Sequence, residues 1–229
     1  ESLAVSGSRC QGCSPTQLGS ALHINALKNS PTIGSSNDIR SNNNWQASGL
    51  YLNAVSNIVI EASQTITFNG NLANQTGGGI RAVLHPIVDS SIFRTEGDLQ
   101  IENNKATSGG GLSVVSINDQ GTNPLILSSG KTLSISSNTA LEYGGGMQVG
   151  STGTVDLAGN VKLVGDVQIN SNTAKNGAGA AFRYSVGNEY LTYGPKTITD
   201  GLLVKSNSAS EDGGAFWFGS SIQAIPDFA

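Results

Sequence analysis

One six-residue pattern recurs down this chain at almost constant spacing, and a steady repeat constrains a fold more than any isolated motif. Its five copies are Ile66-Thr67-Phe68-Asn69-Gly70-Asn71, Leu99-Gln100-Ile101-Glu102-Asn103-Asn104, Leu133-Ser134-Ile135-Ser136-Ser137-Asn138, Val167-Gln168-Ile169-Asn170-Ser171-Asn172 and Leu202-Leu203-Val204-Lys205-Ser206-Asn207. The closing asparagines lie 33, 34, 34 and 35 residues apart. A weaker copy, Ile39 to Asn42 followed by Gly49-Leu50, precedes them. Two residues after each asparagine stands an alanine: Ala73, Ala106, Ala140, Ala174 and Ala209. A glycine cluster and an apolar residue follow: Gly77-Gly78-Gly79-Ile80, Gly109-Gly110-Gly111-Leu112, Gly144-Gly145-Gly146-Met147, Gly177-Ala178-Gly179-Ala180 and Gly213-Gly214-Ala215-Phe216.

Each repeat holds three short runs in which apolar and polar residues alternate. One repeat carries Leu112–Val115, Leu125–Leu127 and Leu133–Ser136; the next carries Met147–Val149, Val155–Leu157 and Val161–Ile169. Alternation at period two marks a strand with one buried face, and no stretch sustains the 3.6-residue period of a helix. Strands that recur in register stack in parallel. The expectation is therefore an all-β fold, a right-handed parallel β-helix: a three-sheet solenoid of about six coils and roughly 30 Å length at ~4.8 Å per coil.

Within the repeat, the residues five and three before each asparagine should point inward, and those four and two before it should face water, with Leu203 as the exception. The asparagine ends the strand, where its amide can serve turn backbone and the next asparagine in a ladder along the axis. The glycines allow positive φ and close approach of coils. Alanine fits a crowded position. In the Gly177-Ala178-Gly179-Ala180 copy the register is expected to shift, with Phe182 and Tyr184 inward and a local bulge.

Only 12% of the 229 residues are charged, 37% are hydrophobic and 30 are glycine, with a net charge of −4. Without a basic patch, nucleic-acid binding is not expected. No apolar run approaches the ~20 residues of a membrane span, so direct membrane insertion of this segment is not expected either. The chain begins at Glu1 without a signal peptide, as a processed or excised piece would. Residues 1–38 fit the repeat poorly and read as an N-terminal cap or degenerate coil; 39–229 read as one elongated domain of repeats. Cys10 and Cys13, in Cys-Gln-Gly-Cys, read as a structural disulfide of an oxidising compartment, with two unpaired thiols as the alternative. Redox use would want a βαβ context, and zinc would want ligands beyond the isolated His23 and His85.

The pairing of FxxN with GGA(I/L/V) resembles the polymorphic outer membrane proteins of chlamydiae over about residues 39–218. The best copies are Phe68-Asn69-Gly70-Asn71 and Gly213-Gly214-Ala215-Phe216; elsewhere Ile or Val replaces Phe, and Gly often replaces the motif's alanine. The resemblance implies an autotransporter passenger, a β-helix displayed outside the cell and tethered by a C-terminal membrane barrel, with a role in adhesion to host cells. Residues Ile222 to Ala229 show none of the amphipathic strands such a barrel needs. On this resemblance the motif residues Phe68, Asn71, Gly77, Gly78, Gly79, Asn104, Gly109, Gly110, Gly111, Asn138, Gly144, Gly145, Gly146, Asn172, Asn207, Gly213, Gly214 and Ala215 are structural and adhesive.

The functional expectation is an extracellular adhesin-type module without catalysis, cofactor or metal, whose partner is a protein or glycan of a host or neighbouring cell surface. A stalk or filament module associating through solenoid ends is the alternative, and a polysaccharide-binding or polysaccharide-degrading β-helix ranks third. Glycoside hydrolysis would need paired carboxylates roughly 5–10 Å apart. Asp89, Glu96, Asp98, Glu102, Asp156, Asp166, Asp200, Glu211 and Asp212 are scattered, and only Glu96 with Asp98 approaches a pair. A lyase would want an acidic calcium cluster beside Arg81, Arg94 or Arg183, and no such cluster is visible in the sequence. Trp45, Tyr51, Tyr143, Tyr184, Tyr190, Tyr193 and Trp217 include outward aromatics that can stack on sugars or on a partner; Trp217 is read first as packing on a neighbouring coil. Asn74-Gln75-Thr76 is a glycosylation sequon, meaningful in a protein secreted by a eukaryote. The Thr-x-Thr runs at Thr65, Thr152 and Thr197 fall at different phases, so an ice-binding face is not expected.

Overall fold

The computed structural model of the chain describes residues 3–6, 22–25, 32–33, 37–40, 43–44, 49–53, 57–60, 65–84, 91–116, 125–150, 161–183, 191–194 and 201–219. All of its regular elements are strands, and every strand pairing among the described residues is parallel. They form three sheets: sheet I, of 11 strands, which includes Ile66–Asn69, Leu99–Glu102, Leu125–Ser136 and Val161–Asn170; sheet II, of 6; and sheet III, of 7. The protein is a parallel β-helix.

Sheet III holds Leu22–Asn25, Leu50–Asn53, Ile80–Leu84, Leu112–Ser116, Met147–Val149, Ala180–Arg183 and Phe216–Gly219 in unbroken order. Its seven strands follow one another coil by coil among the described residues. Each coil leaves sheet III, runs along sheet I, turns at the asparagine into sheet II, and returns through the glycines. Strands Leu3–Ser6, Leu22–Asn25 and Thr32–Ile33, inside the segment set apart as cap or degenerate coil, pair with strands of later coils.

The three sheets are not the three expected from the sequence. The runs at Leu125 and Leu133 belong to a single strand, Leu125–Ser136, and hence to one sheet. A register shift lies inside it: Leu125 pairs with Val161, 36 residues on, while Thr132 pairs with Asp166, 34 residues on. Hydrogen bonds hold this bend. Ser129 Oγ donates to the Gly97 carbonyl at 2.7 Å, and the Thr132 N–H donates to Asp98 Oδ1 at 3.0 Å. A sequence of Ser-Ser-Gly-Lys therefore bends one strand where the alternation gave two separate runs. The third sheet is instead the short sheet II, built from the two to five residues after each asparagine, such as Leu72–Ala73, Lys105–Ser108 and Thr173–Ala174. Two-residue strands are too short to show alternation, which is why only the recurrent alanine marked them.

Inward positions behave as the alternation requires. Ile66, Phe68, Leu99, Ile101, Leu133, Ile135, Val167 and Ile169 are buried, while Thr67, Gln100, Ser134 and Gln168 between them are half-buried. Each fully buried Leu, Ile or Phe contributes about 1.5–3 kcal/mol relative to exposure. They share one continuous core with Leu112, Val114, Met147 and Phe182. Leu203, the odd apolar residue in the outward lane, is exposed. The alanines form a second, smaller cluster of Ala140, Ala174 and Ala178 in the tight corner of sheet II.

The expected register shift after Gly177 does not occur. Ala180 pairs with Met147 and Phe182 with Val149, so Ala180 and Phe182 are the inward pair; Tyr184 lies outside the described residues. A small residue at 180 leaves room that Phe182 and Phe216 fill, with ring centroids 6.5 Å apart. The irregularity falls one coil earlier, between Ala106 and Ser108 opposite Thr139–Tyr143. There the longer coil pushes Leu141 into solvent.

The residue before each asparagine adopts a left-handed conformation: Gly70 (φ 66°), Asn103 (55°), Ser137 (56°), Ser171 (55°) and Ser206 (55°). Serine pays a steric cost there that glycine does not. Ser171→Gly is expected to raise stability by about 0.5 kcal/mol, the strain relief exceeding the added freedom of the unfolded chain. Urea unfolding reads this directly, and a loss of stability would show that the turn is unstrained.

Candidate functional site

The repeat residues meet inside the solenoid. Each asparagine closes its strand, and its side chain faces the asparagine of the next coil. Asn104 Nδ2 donates to Asn138 Oδ1 at 3.0 Å and to the Phe68 carbonyl at 2.8 Å, while its backbone N–H donates to the same Asn138 oxygen at 3.0 Å. Asn138 repeats this toward Asn172 and Ile101, and Asn172 toward Asn207 and Ile135. Asn71 likewise donates to Asn104 from both nitrogens. The expected ladder therefore runs from Asn71 to Asn207. Each inner rung uses both amide protons and both acceptor positions of its oxygen.

The glycine cluster is the other side of the same contact. A Cβ on Gly79 would meet Asn104 Nδ2 at 2.9 Å, one on Gly111 would meet Asn138 Nδ2 at 2.8 Å, and one on Gly146 would meet Asn172 Nδ2 at 2.9 Å. The two halves of the motif recur together because the amide ladder lies against bare backbone. The first glycine of each cluster has a separate reason: Gly77, Gly109, Gly144, Gly177 and Gly213 all have φ between 62° and 69°. Phe68 is buried and faces Phe93 at 6.3 Å between centroids. Ala215 of the last copy is exposed.

Among the described residues, the carboxylates with printed partners are engaged separately rather than with one another. Asp98 accepts from the Thr132 N–H and from Thr65 Oγ1, which makes it a strap between coils, while Glu96 is exposed. Glu102 accepts from Asn69 Nδ2 and Asp166 from Gln168 Nε2. Glu211 forms an exposed ion pair with Lys175 at 3.0 Å, and its hydrogen bond and charge hold that ammonium above the usual lysine range. Asp212 acts through its backbone, whose carbonyl receives the Gly177 N–H. Among the described residues, no group of three His, Cys, Asp or Glu could hold a metal ion, and no helix is long and apolar enough to cross a membrane. Cys10, Cys13, Trp45, His85, Asp89, Asp156, Tyr184, Tyr190 and Asp200 lie outside the described residues, as do Thr152 and Thr197. Asn74 is exposed, and its carbonyl accepts from Thr107 Oγ1.

The outer face of sheet III differs from an ordinary solvent face. In register along it stand His23, Tyr51, Arg81, Ser113, Gln148, Ala181 and Trp217. Tyr51, Ser113, Gln148 and Ala181 are buried, although strand alternation points them away from the core. The Arg81 guanidinium lies 5.6 Å from the Tyr51 ring centroid; burial pulls Arg81 below its ordinary range and pushes the Tyr51 hydroxyl up. At the other end the Tyr143 and Trp217 rings sit 5.0 Å apart, the packing role expected first for Trp217. Between these ends, Ser113 Oγ and both amide atoms of Gln148 are buried without a hydrogen-bond partner. So are Thr76 Oγ1 and Ser108 Oγ, on the lane immediately before the positive-φ glycines. Each unpartnered buried polar atom costs about 1–3 kcal/mol. Sequence reading missed these four residues, because a Ser or Gln at an outward position looks like an ordinary solvated side chain.

Comparison with protein families, with characterised proteins and with solved structures gave no match.

Proposed function

We propose that the chain is a non-catalytic binding module, displayed outside the cell in the manner of the autotransporter passengers that its repeat resembles, and that it contacts a partner on a host or neighbouring cell surface through its sides. One observation carries the reading: what repeats is inside, and what varies is outside. Asn71, Asn104, Asn138 and Asn172 are buried, and their amides are occupied by one another, so the motif builds the scaffold and leaves contact to other residues. The outward lane of sheet I reads Thr67, Gln100, Ser134, Gln168 and Leu203 in register, a flat row that changes chemistry from coil to coil. A constant core with a variable wall supports a display scaffold.

The test is binding of the labelled, monomeric 229-residue chain to cultured cells and to a glycan panel. Saturable binding is expected, and charge introduced into the wall by Thr67→Glu with Ser134→Glu should weaken it about tenfold, roughly 1.4 kcal/mol, without shifting the melting temperature by more than a few degrees. Binding that fails to saturate, or release of shortened glycans, would overturn the reading. A stalk role has one observation in its favour: in the last described coil Leu202, Val204 and Phe216 are only half-buried and Phe218 is exposed. Concentration-dependent end-to-end association without surface binding would establish that role instead.

A further inference from the structure

We infer that the C-terminal end of the solenoid is an association surface for a second copy of this chain, stacked head to tail so that its first coil continues the sheets. The three sheets end together in the last described coil. Leu202–Lys205 pairs only with Val161–Asn170, Ser208–Ala209 only with Thr173–Ala174, and Phe216–Gly219 only with Ala180–Arg183. This end is open: Leu202, Val204 and Phe216 are half-buried and Phe218 is 37% exposed, while Val167, Ile169, Ala180 and Phe182 one coil below are buried. The repeat motif specifies what covers it. Each inner asparagine donates its backbone N–H and one amide proton to the asparagine oxygen of the following coil. Asn207 follows the same left-handed turn at Ser206 and donates one amide proton to the Ile169 carbonyl, but its two onward donors meet no acceptor among the described residues. The glycines carry the same mark. A Cβ on Gly78, Gly110 or Gly145 would lie 2.3, 2.5 or 2.4 Å from a carbonyl oxygen of the following coil, whereas one on Gly214, the matching position, would meet only the Asn207 carbonyl, at 3.4 Å.

The chain itself carries the matching edge. At its other end Leu3–Ser6 and Leu22–Asn25 each pair on one side only, with Asn37–Arg40 and Leu50–Asn53. Followed coil by coil, the register puts Leu3 and Val5 at the positions of Leu202 and Val204 in sheet I. It puts Leu22 and Ile24 at those of Phe216 and Phe218 in sheet III. Four apolar positions on one copy thus match four on the other, and a coaxial copy would pair in parallel, as every described strand of the chain does. New strand pairs take up the N–H and C=O groups that each edge leaves unpaired, which is why open edges associate. Because the two surfaces differ, the contact is heterologous and can repeat along the axis. Stacking of this kind leaves the walls of every copy free, so it stands beside lateral binding and does not depend on it.

Sedimentation velocity of the full 229-residue chain should show mass that grows with concentration through dimers to longer species. Gly214→Val is the decisive variant, since a single copy has room for the side chain and a stacked coil would press a backbone carbonyl against it. In dilute solution its melting temperature should stay within a few degrees of the parent's, while self-association should weaken about tenfold or more. Cysteine pairing reads the direction. Ala4 and Leu203 share one register lane, and adjacent coils lie ~4.8 Å apart, within reach of a disulfide. Ala4→Cys mixed with Leu203→Cys should therefore give the linked peptide pair on oxidation. A parent that stays monomeric at every concentration, or a Gly214→Val that associates as the parent does, would overturn the proposal. So would a dilute Gly214→Val that melts far below the parent, because the chain's own residues would then cover this end. Linkage of Leu203→Cys to its own kind, without linkage to Ala4→Cys, would replace head-to-tail stacking with a pair joined at like ends.

Discussion

Asn138→Leu is expected to destabilise the protein by about 4 kcal/mol, a fall of roughly 10 °C in melting temperature for a chain of this length. Asn138 is the middle rung of the ladder and fully buried. Its oxygen accepts from the backbone and side-chain nitrogens of Asn104, and its amide donates to the Ile101 carbonyl and to Asn172 Oδ1. Leucine matches the shape and makes none of these bonds, so two donors of Asn104 and the Ile101 carbonyl lose a partner away from water. The isosteric Asn138→Asp separates hydrogen bonding from size. Its carboxylate could still accept from Asn104 but would face two oxygens without a proton to offer. Burial and those oxygens would raise its folded pKa above the unfolded value of about 3.9. The charge-related loss of stability is then absent below that value and grows as pH rises through it toward the folded pKa. Thermal melts of Asn138→Asp should accordingly improve on acidification relative to Asn138→Leu. A leucine variant within 1 kcal/mol of the parent would show that the ladder is ornamental.

Gly110→Ala is the second large effect, about 3 kcal/mol or more. The added Cβ would lie 2.5 Å from both the Gly145 and Thr139 carbonyl oxygens. Those are backbone atoms of the next coil, held in hydrogen bonds, so no side chain can swing aside. The contrast lies two coils further on. Ala178 occupies the corresponding place, and its methyl group packs with Ala140 and Ala174. Ala178→Gly should therefore cost only about 0.5–1 kcal/mol, chiefly through chain entropy. Chemical denaturation of the two variants side by side checks the pair; equal effects would mean that the coils are free to separate at Gly110.

How much of this could be read before the coordinates depends on the range of the interaction involved. Alternation is a property of neighbouring residues, so the inward set Ile66, Phe68, Leu99, Ile101, Leu133 and Ile135 was legible, as was parallel stacking from the near-constant separation of Asn71, Asn104, Asn138, Asn172 and Asn207. The asparagine ladder was legible too, since equal spacing puts like beside like.

The division into sheets was not legible. Whether Ser128 to Thr132 ends a strand or bends it depends on Asp98 and Gly97, more than 30 residues away, which take up its hydrogen bonds. The link between the asparagines and the glycines was hidden for the same reason, because Gly111 and Asn138 touch only once adjacent coils are stacked. Gln148 shows the limit most plainly. Its sequence position determines which side of the strand it faces, and the sequence determined that correctly. Whether the outward side is wet or sealed depends on what the rest of the chain lays against it, and that was decided by the tertiary structure alone.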